Sequence, residues 1–109
     1  MAMPNITLTE TGTGSTAYVI PDFFIENFNI GLQAIVTGSV SSYSAEFTLD
    51  DTTSDSYVPA SGNWFPVSGM DSLAISAIAN LTIPCRGIRL TIETGTGTVA
   101  LTIQQAGTR

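Results

Sequence analysis

The stretch GIRLTIETGTGTVALTIQQ, residues 87–105, decides the fold. Ile88, Leu90 and Ile92 alternate with Arg89, Thr91 and Glu93; further on, Val99, Leu101 and Ile103 alternate with Thr98, Ala100, Thr102 and Gln104. A period of two is that of a strand with one face on a core and the other in water. Between the two runs lies TGTG, residues 94–97, whose glycines can take the positive φ of a tight reversal. Residues 87–105 therefore read as a β-hairpin.

The same alternation recurs outward from this stretch. In residues 40–50, Tyr43, Ala45, Phe47 and Leu49 share one face, and Ser42, Ser44, Glu46, Thr48 and Asp50 share the other. Residues 6–10 alternate weakly. Residues 16–20 read as a strand ended by Pro21, and the β-branched run 31–37 as one ended by Gly38. Residues 73–81 admit two readings: Leu73, Ile75, Ala77 and Ala79 alternate as in a strand, while Ile75, Ile78 and Ala79 also fit a short helix. The strand is the preferred reading. About seven or eight short strands at such spacing define an all-β fold, an antiparallel β-sandwich of jelly-roll-like type. The 109 residues make a single domain over residues 1–109, with residues 1–9 a candidate contact arm.

One internal echo stands out. ETGTGSTAYVI at 10–20 resembles ETGTGTVALTI at 93–103. Two copies at opposite ends of a chain are not the stacked units of a solenoid. They read as one hairpin solution used twice, which predicts a second hairpin over residues 6–20.

Two stretches read as loops. Residues 51–62 cluster Asp, Ser, Thr, Pro and Gly. Residues 21–29 carry Phe23, Phe24, Ile25 and Phe28 between turn residues, either plugging the end of the core or meeting a partner; the plug is preferred. Trp64 and Phe65 follow the first loop, and Tyr57 lies within it. Aromatic residues are both the largest core residues and the commonest interface anchors. Core is the preferred role for Trp64, and interface for Tyr57. Phe23, Phe24, Tyr57, Trp64 and Phe65 are the candidate partner-binding residues.

Composition narrows the chemistry. The chain has no histidine and one cysteine, Cys85. Ser-His-Asp and Cys-His activation need a base that titrates near neutrality, and zinc sites draw mostly on His and Cys clusters. No enzymatic activity, cofactor or metal is expected. Arg86 could lower the Cys85 pKa, but a small buried residue at a strand start is the preferred reading. GTGSTA at 12–17 and GTGTVA at 95–100 have the spacing of a dinucleotide fingerprint, yet β-branched residues follow each where a helix is required. Asp50, Asp51 and Asp55 lack the Gly and closing Glu of a calcium loop. The net charge is −6, with Arg86, Arg89 and Arg109 the only cations. Phosphate backbones and anionic lipid surfaces both need more basic residues than that, so neither nucleic acid nor membrane is an expected partner. No basic leader or long apolar run is expected to route the chain out of the cytoplasm in which it is made.

The run from Ile83 to Gly107, IPCRGIRLTIETGTGTVALTIQQAG, resembles the ending of small virion proteins of tailed bacteriophages. There a Pro-Val-Arg-Ala-Ile-Arg-Leu pattern, a Gly-rich turn and a last strand close on Gln-Ala-Gly. FTLDD at 47–51 and the Trp64-Phe65 pair also fit, so that the resemblance spans residues 31–107. It departs at Cys85, where the family carries a β-branched residue, and at Gly87, where it carries Ala. The resemblance implies a capsid decoration or cement protein: a β-sandwich or jelly-roll homo-oligomer on the capsid exterior that braces capsomer joints. The implied partners are the major capsid protein and other copies of the chain. The alternative is a tail-side or fibre-associated virion protein, a carbohydrate-binding adhesion module in which Trp and Tyr near the loops stack on sugars.

Overall fold

A computed structural model describes residues 5–23 and 26–108. Eight strands run in chain order: β1 (Ile6–Thr11), β2 (Gly14–Ser15), β3 (Glu26–Thr37), β4 (Val40–Thr48), β5 (Phe65–Pro66), β6 (Ala77–Leu81), β7 (Gly87–Gly95) and β8 (Thr98–Thr108). They form two four-stranded sheets, a front sheet ordered β1-β8-β3-β6 and a back sheet ordered β2-β7-β4-β5. Strands β1 and β8, β2 and β7, β3 and β6, and β4 and β5 pair antiparallel. That is one long two-stranded ribbon, with β4–β5 at its tip, wrapped around a core; wrapping then brings β3 against β8 and β4 against β7. The sandwich is a jelly roll.

The alternating side chains meet in the middle. Ile88, Leu90 and Ile92 of β7, Tyr43 and Ala45 of β4, Ile30, Leu32 and Ala34 of β3, and Val99, Leu101 and Ile103 of β8 are all buried. The Tyr43 hydroxyl, deep in this core, donates to the Ile75 carbonyl at 2.6 Å.

Strands β7 and β8 are not a hairpin. They lie in opposite sheets, and residues 96–97 carry the chain across the core edge from one to the other. The expected hairpin over residues 6–20 fails in the same way, since β1 belongs to the front sheet and β2 to the back. Strands β3 and β4 are joined by a third crossing at residues 38–39. The reason for both corrections is that alternation reports which side chains face the core. It does not report whether the next strand returns beside its predecessor or opposite it, because both choices bury the same residues. The echoed ETGTG motif is indeed one solution used twice, but the solution is a sheet-crossing corner. The one short-range hairpin is β4–β5, around the segment read as a loop.

The three corners stack. The Thr96 and Gly97 amides both donate to the Ser39 carbonyl, at 2.9 and 2.8 Å, and the Gly12 amide donates to the Gly97 carbonyl at 2.9 Å. A Cβ on Gly97 would lie 2.6 Å from the Thr37 carbonyl oxygen and 2.7 Å from the Ser39 nitrogen. Only glycine fits between the neighbouring backbones.

Three other readings shift. Residues 26–29, taken as loop, belong to β3, which has an irregularity between Glu26 and Asn29. Phe28 is buried and Phe23 packs against the core, as a plug would. The buried Gln105 amide holds the crossing chain beside them, accepting from the Asp22 amide and donating to the Asp22 carbonyl, both at 2.9 Å. Residues 16–20 run along β7 through the Thr16 amide and a Val19–Ile88 bridge, without making a continuous strand. Of residues 73–81, only Ala77–Leu81 form a strand, β6 of the front sheet; Leu73 makes an isolated bridge to Tyr43 of the back sheet, and Ile75, expected on the core face, is exposed where the chain passes between the two. Residues 6–9 of the expected contact arm are part of β1, and residues 1–4 lie outside the described residues.

Gly97→Ala is expected to cost about 2–4 kcal/mol, from backbone overpacking and loss of the corner hydrogen bonds. Urea unfolding measures this as a lower midpoint with an unchanged slope.

Candidate functional site

The tip of the ribbon supplies the only concentration of aromatic and charged groups among the described residues. Residues 49–64 leave β4, make a single 3-10 turn at Pro59–Ser61 and return over the outer face of the back sheet. Register decides what they land on. Glu46 of β4 lies opposite Arg89 of β7, and Thr48 opposite Gly87. Glu46 Oε1 accepts from Arg89 Nε and from Thr91 Oγ1, both at 2.8 Å. The Arg89 guanidinium stacks 4.3 Å above the Trp64 ring. The side chains of this ion pair are only 16% and 17% exposed, because the ring and the loop cover them. A desolvated pair of this kind holds its geometry through the extra hydrogen bond and the stacked ring.

Trp64 is fixed from every side. Its indole nitrogen donates to the Pro59 carbonyl at 3.1 Å. Tyr18 packs on it with ring centroids 6.0 Å apart, and Tyr57 meets Tyr18 edge-on at 5.9 Å. Gly87 leaves room for the ring; a Cβ there would lie 3.1 Å from the edge of Trp64.

The carboxylates beside this cluster are engaged in holding the loop. Asp50 accepts from the Asn63 amide at 2.7 Å and from the Asn63 side chain at 3.2 Å, and these bonds hold its carboxyl below the usual range. Asp51 accepts from the Thr53 hydroxyl at 2.7 Å and from Arg86 at 3.1 Å, and is lowered in the same way, chiefly by Thr53. Burial pushes the Tyr57 hydroxyl up, and the Asp50 charge adds to this. Among the described residues no three His, Cys, Asp or Glu side chains come together to hold a metal.

The five residues expected to meet a partner are dispersed. Phe23 is half-buried beneath the Arg86 guanidinium, 4.4 Å above its ring. Phe24 lies outside the described residues. Tyr57, the preferred interface candidate within the loop, is half-buried against Tyr18, and Trp64, for which core is the preferred role, is half-buried under Arg89. A sugar therefore cannot stack on the covered face of Trp64. Of the four that are described, Phe65 alone is open, at 59% exposure on the short edge strand β5, opposite Phe47. Leu49, which alternation places on the face of Tyr43, Ala45 and Phe47, is instead 60% exposed. Arg89, Glu46 and Tyr18 went unmarked in the sequence. Arg89 and Glu46 occupy polar positions of two strands that the sequence does not show to be neighbours.

Cys85 is buried in the core, and burial pushes its thiol up to about 11 despite the adjacent arginine, whose side chain turns away to Asp51 and Phe23.

No protein-family model matches the chain, and no curated protein does. Solved structures do. One is the SPBc2 prophage-derived protein YomS, with TM-score 0.53, 13% identity, 94% of this chain and 93% of that one covered. Another belongs to the disulfide-linked pili of Bacillus endospore appendages, with TM-score 0.51, 11% identity, and 96% and 86% covered. At such identities the likeness is one of fold.

Two outcomes follow. Because the folded-state pKa values of Asp50 and Asp51 are depressed, their contribution to loop stability is complete above the ordinary carboxylate value of about 3.9 and is lost as pH falls through the lower folded values. The emission of the single tryptophan should therefore shift to the red in acid, below about pH 4, and Asp50→Asn should weaken that pH dependence. Cys85 should remain unlabelled by a thiol reagent at pH 8 until the protein is unfolded in urea, since the thiol is both buried and protonated.

Proposed function

We propose that the chain is a structural subunit of a tailed-bacteriophage particle, a decoration protein that binds the outer surface of the head and braces the joints between capsomers. One observation carries the reading. The β4–β5 hairpin and its loop present Leu49, Val58 and Phe65, all more than half exposed; among the described residues Ile75 and Ile78 are the other large apolar side chains exposed to that degree, and neither belongs to this hairpin. Large apolar side chains left in water at the tip of a rigid ribbon are the expected anchors of a protein contact. Pro66 removes a backbone donor from the β5 edge, so this contact is made by side chains rather than by adding a strand.

Two further findings support it. The closing strands β7 and β8 carry the run that resembles phage virion proteins, and a prophage-derived protein has the same fold over nearly its whole length. The mode of assembly named for the pilus neighbour does not transfer, because the only cysteine here is buried. Contacts of this size are weak singly and become effective through the many symmetric copies on a head. The partners are the major capsid protein and sister copies.

Purified protein added to expanded heads assembled without it should sediment with them. Phe65→Ser should reduce the bound fraction at least tenfold while leaving the urea midpoint within about 0.5 kcal/mol of wild type, as for other exposed positions. Wild-type protein that never sediments with heads overturns the reading.

A further inference from the structure

The front sheet presents a different surface. Its outward side chains stand in rows fixed by register: Thr11, Thr98 and Thr37; Thr9, Ala100 and Ile35; Thr7, Thr102, Gln33 and Ile78; Gln104, Gly31 and Asn80; Ala106 and Asn29. None is charged, in a chain of net charge −6. Glu46, Asp50, Asp51, Arg86 and Arg89 belong to the back sheet or its loop and flanks, while Glu10 in β1 and Glu26 in β3 are the charged positions of the front-sheet strands, outside these rows.

Within this neutral face lies a groove of about 490 Å³, inside the range of roughly 300–1,000 Å³ usual for small-ligand sites. Gly31 interrupts the rows and recesses the groove floor between Gln104 and Asn80. The carboxamides of Asn5, Asn29, Gln33, Asn80 and Gln104 line it, with the Thr102 hydroxyl and with Ile78, which is 79% exposed. Asn80 donates to the Asn29 side chain and, at 3.4 Å, to the Ile30 carbonyl, which sets the orientation of that pair.

The geometry points to a binding site for a neutral polysaccharide on this face. A carboxamide both donates and accepts, as a sugar hydroxyl does, and a groove lined with several can match a polyhydroxylated chain without any ion to desolvate. Ile78 offers an apolar wall to the C–H face of a sugar ring. An acidic polysaccharide gains nothing there and is repelled by the net charge. A protein-docking patch would instead concentrate aromatic and large apolar residues at its centre, as the β4–β5 tip does and the groove does not. The groove has no aromatic platform, so one copy holds its ligand weakly, with a dissociation constant on the order of 1 mM, and an array of copies supplies avidity. The site is separate from the β4–β5 tip and does not depend on where in a particle the chain resides.

Affinity gel electrophoresis of the full chain tests it, with laminarin, dextran, mannan and hydroxyethyl cellulose as neutral probes and polygalacturonate as the acidic control. Retardation by at least one neutral polymer and none by polygalacturonate is expected. Gly31→Leu fills the groove floor where the nearest atom to a new Cβ is 3.9 Å away, so the variant should fold with an unchanged urea midpoint. It should lose at least five-fold in retardation, and Gln33→Ala likewise. Failure of all four neutral polymers to retard the wild type, or equal retardation of wild type and Gly31→Leu, overturns the proposal. So does a finding that Gly31→Leu affects only attachment to phage heads, which would make this face a protein contact. Loss of head binding by Phe65→Ser with glycan binding intact would separate the two surfaces.

Discussion

The close approach of three backbones at one end of the sandwich governs the rest of the structure. Gly97 is wedged against residues 37–39 and bonded to Gly12, so that the crossings β1–β2, β8–β7 and β3–β4 lie side by side in one order. Once they are stacked, strand order in one sheet dictates strand order in the other: β1-β8-β3 above, β2-β7-β4 below. A side chain at the wedge would drive the corners apart, and with them the two sheets whose inner faces make the core. The ribbon tip, β4–β5, is thereby placed at the far edge of the back sheet, and β6 at the corresponding edge of the front sheet.

That arrangement gives the two sides of the sandwich different surfaces. The ion pair of Arg89 with Glu46 and the carboxylates of the tip loop gather on one side of the sandwich, where Trp64, Tyr18 and Tyr57 cover or flank them. The other side is a field of threonines and carboxamides. In this fold the conspicuous aromatics are largely structural. Trp64 serves as a second, small core outside the back sheet, and it does so because Gly87 leaves room for its ring.

The candidate sites were legible only in part. Exposed Phe65 could be nominated as an aromatic after a polar loop, but Tyr57 and Trp64, nominated on the same ground, turn inward. Nothing in the order of residues distinguishes a ring that folds back on its own sheet from one that faces a partner. Leu49 continues the alternation of β4 and so looks like a core residue; it is exposed because it extends past the last paired residue of the strand. The carboxamides of the groove are five unremarkable polar positions, four of them on three strands and Asn5 just before β1, and only the pairing of the strands brings them together.

The sequence by itself determined the class of fold, the core-facing side chains of the paired strands though not of Leu49 and Ile75 beyond them, and the lack of any histidine for base chemistry, because a period of two and a missing residue type are local properties. It also located the turns, since glycine is needed wherever they fall. Only the tertiary structure decided that those turns cross between sheets rather than close hairpins, and hence which strands are neighbours. Both outcomes bury the same alternating residues, so the burial free energy hardly separates them. The choice lies in contacts between corners more than fifty residues apart in the chain, Gly12 and Ser39 with Gly97, and these exist only once the ribbon has wrapped.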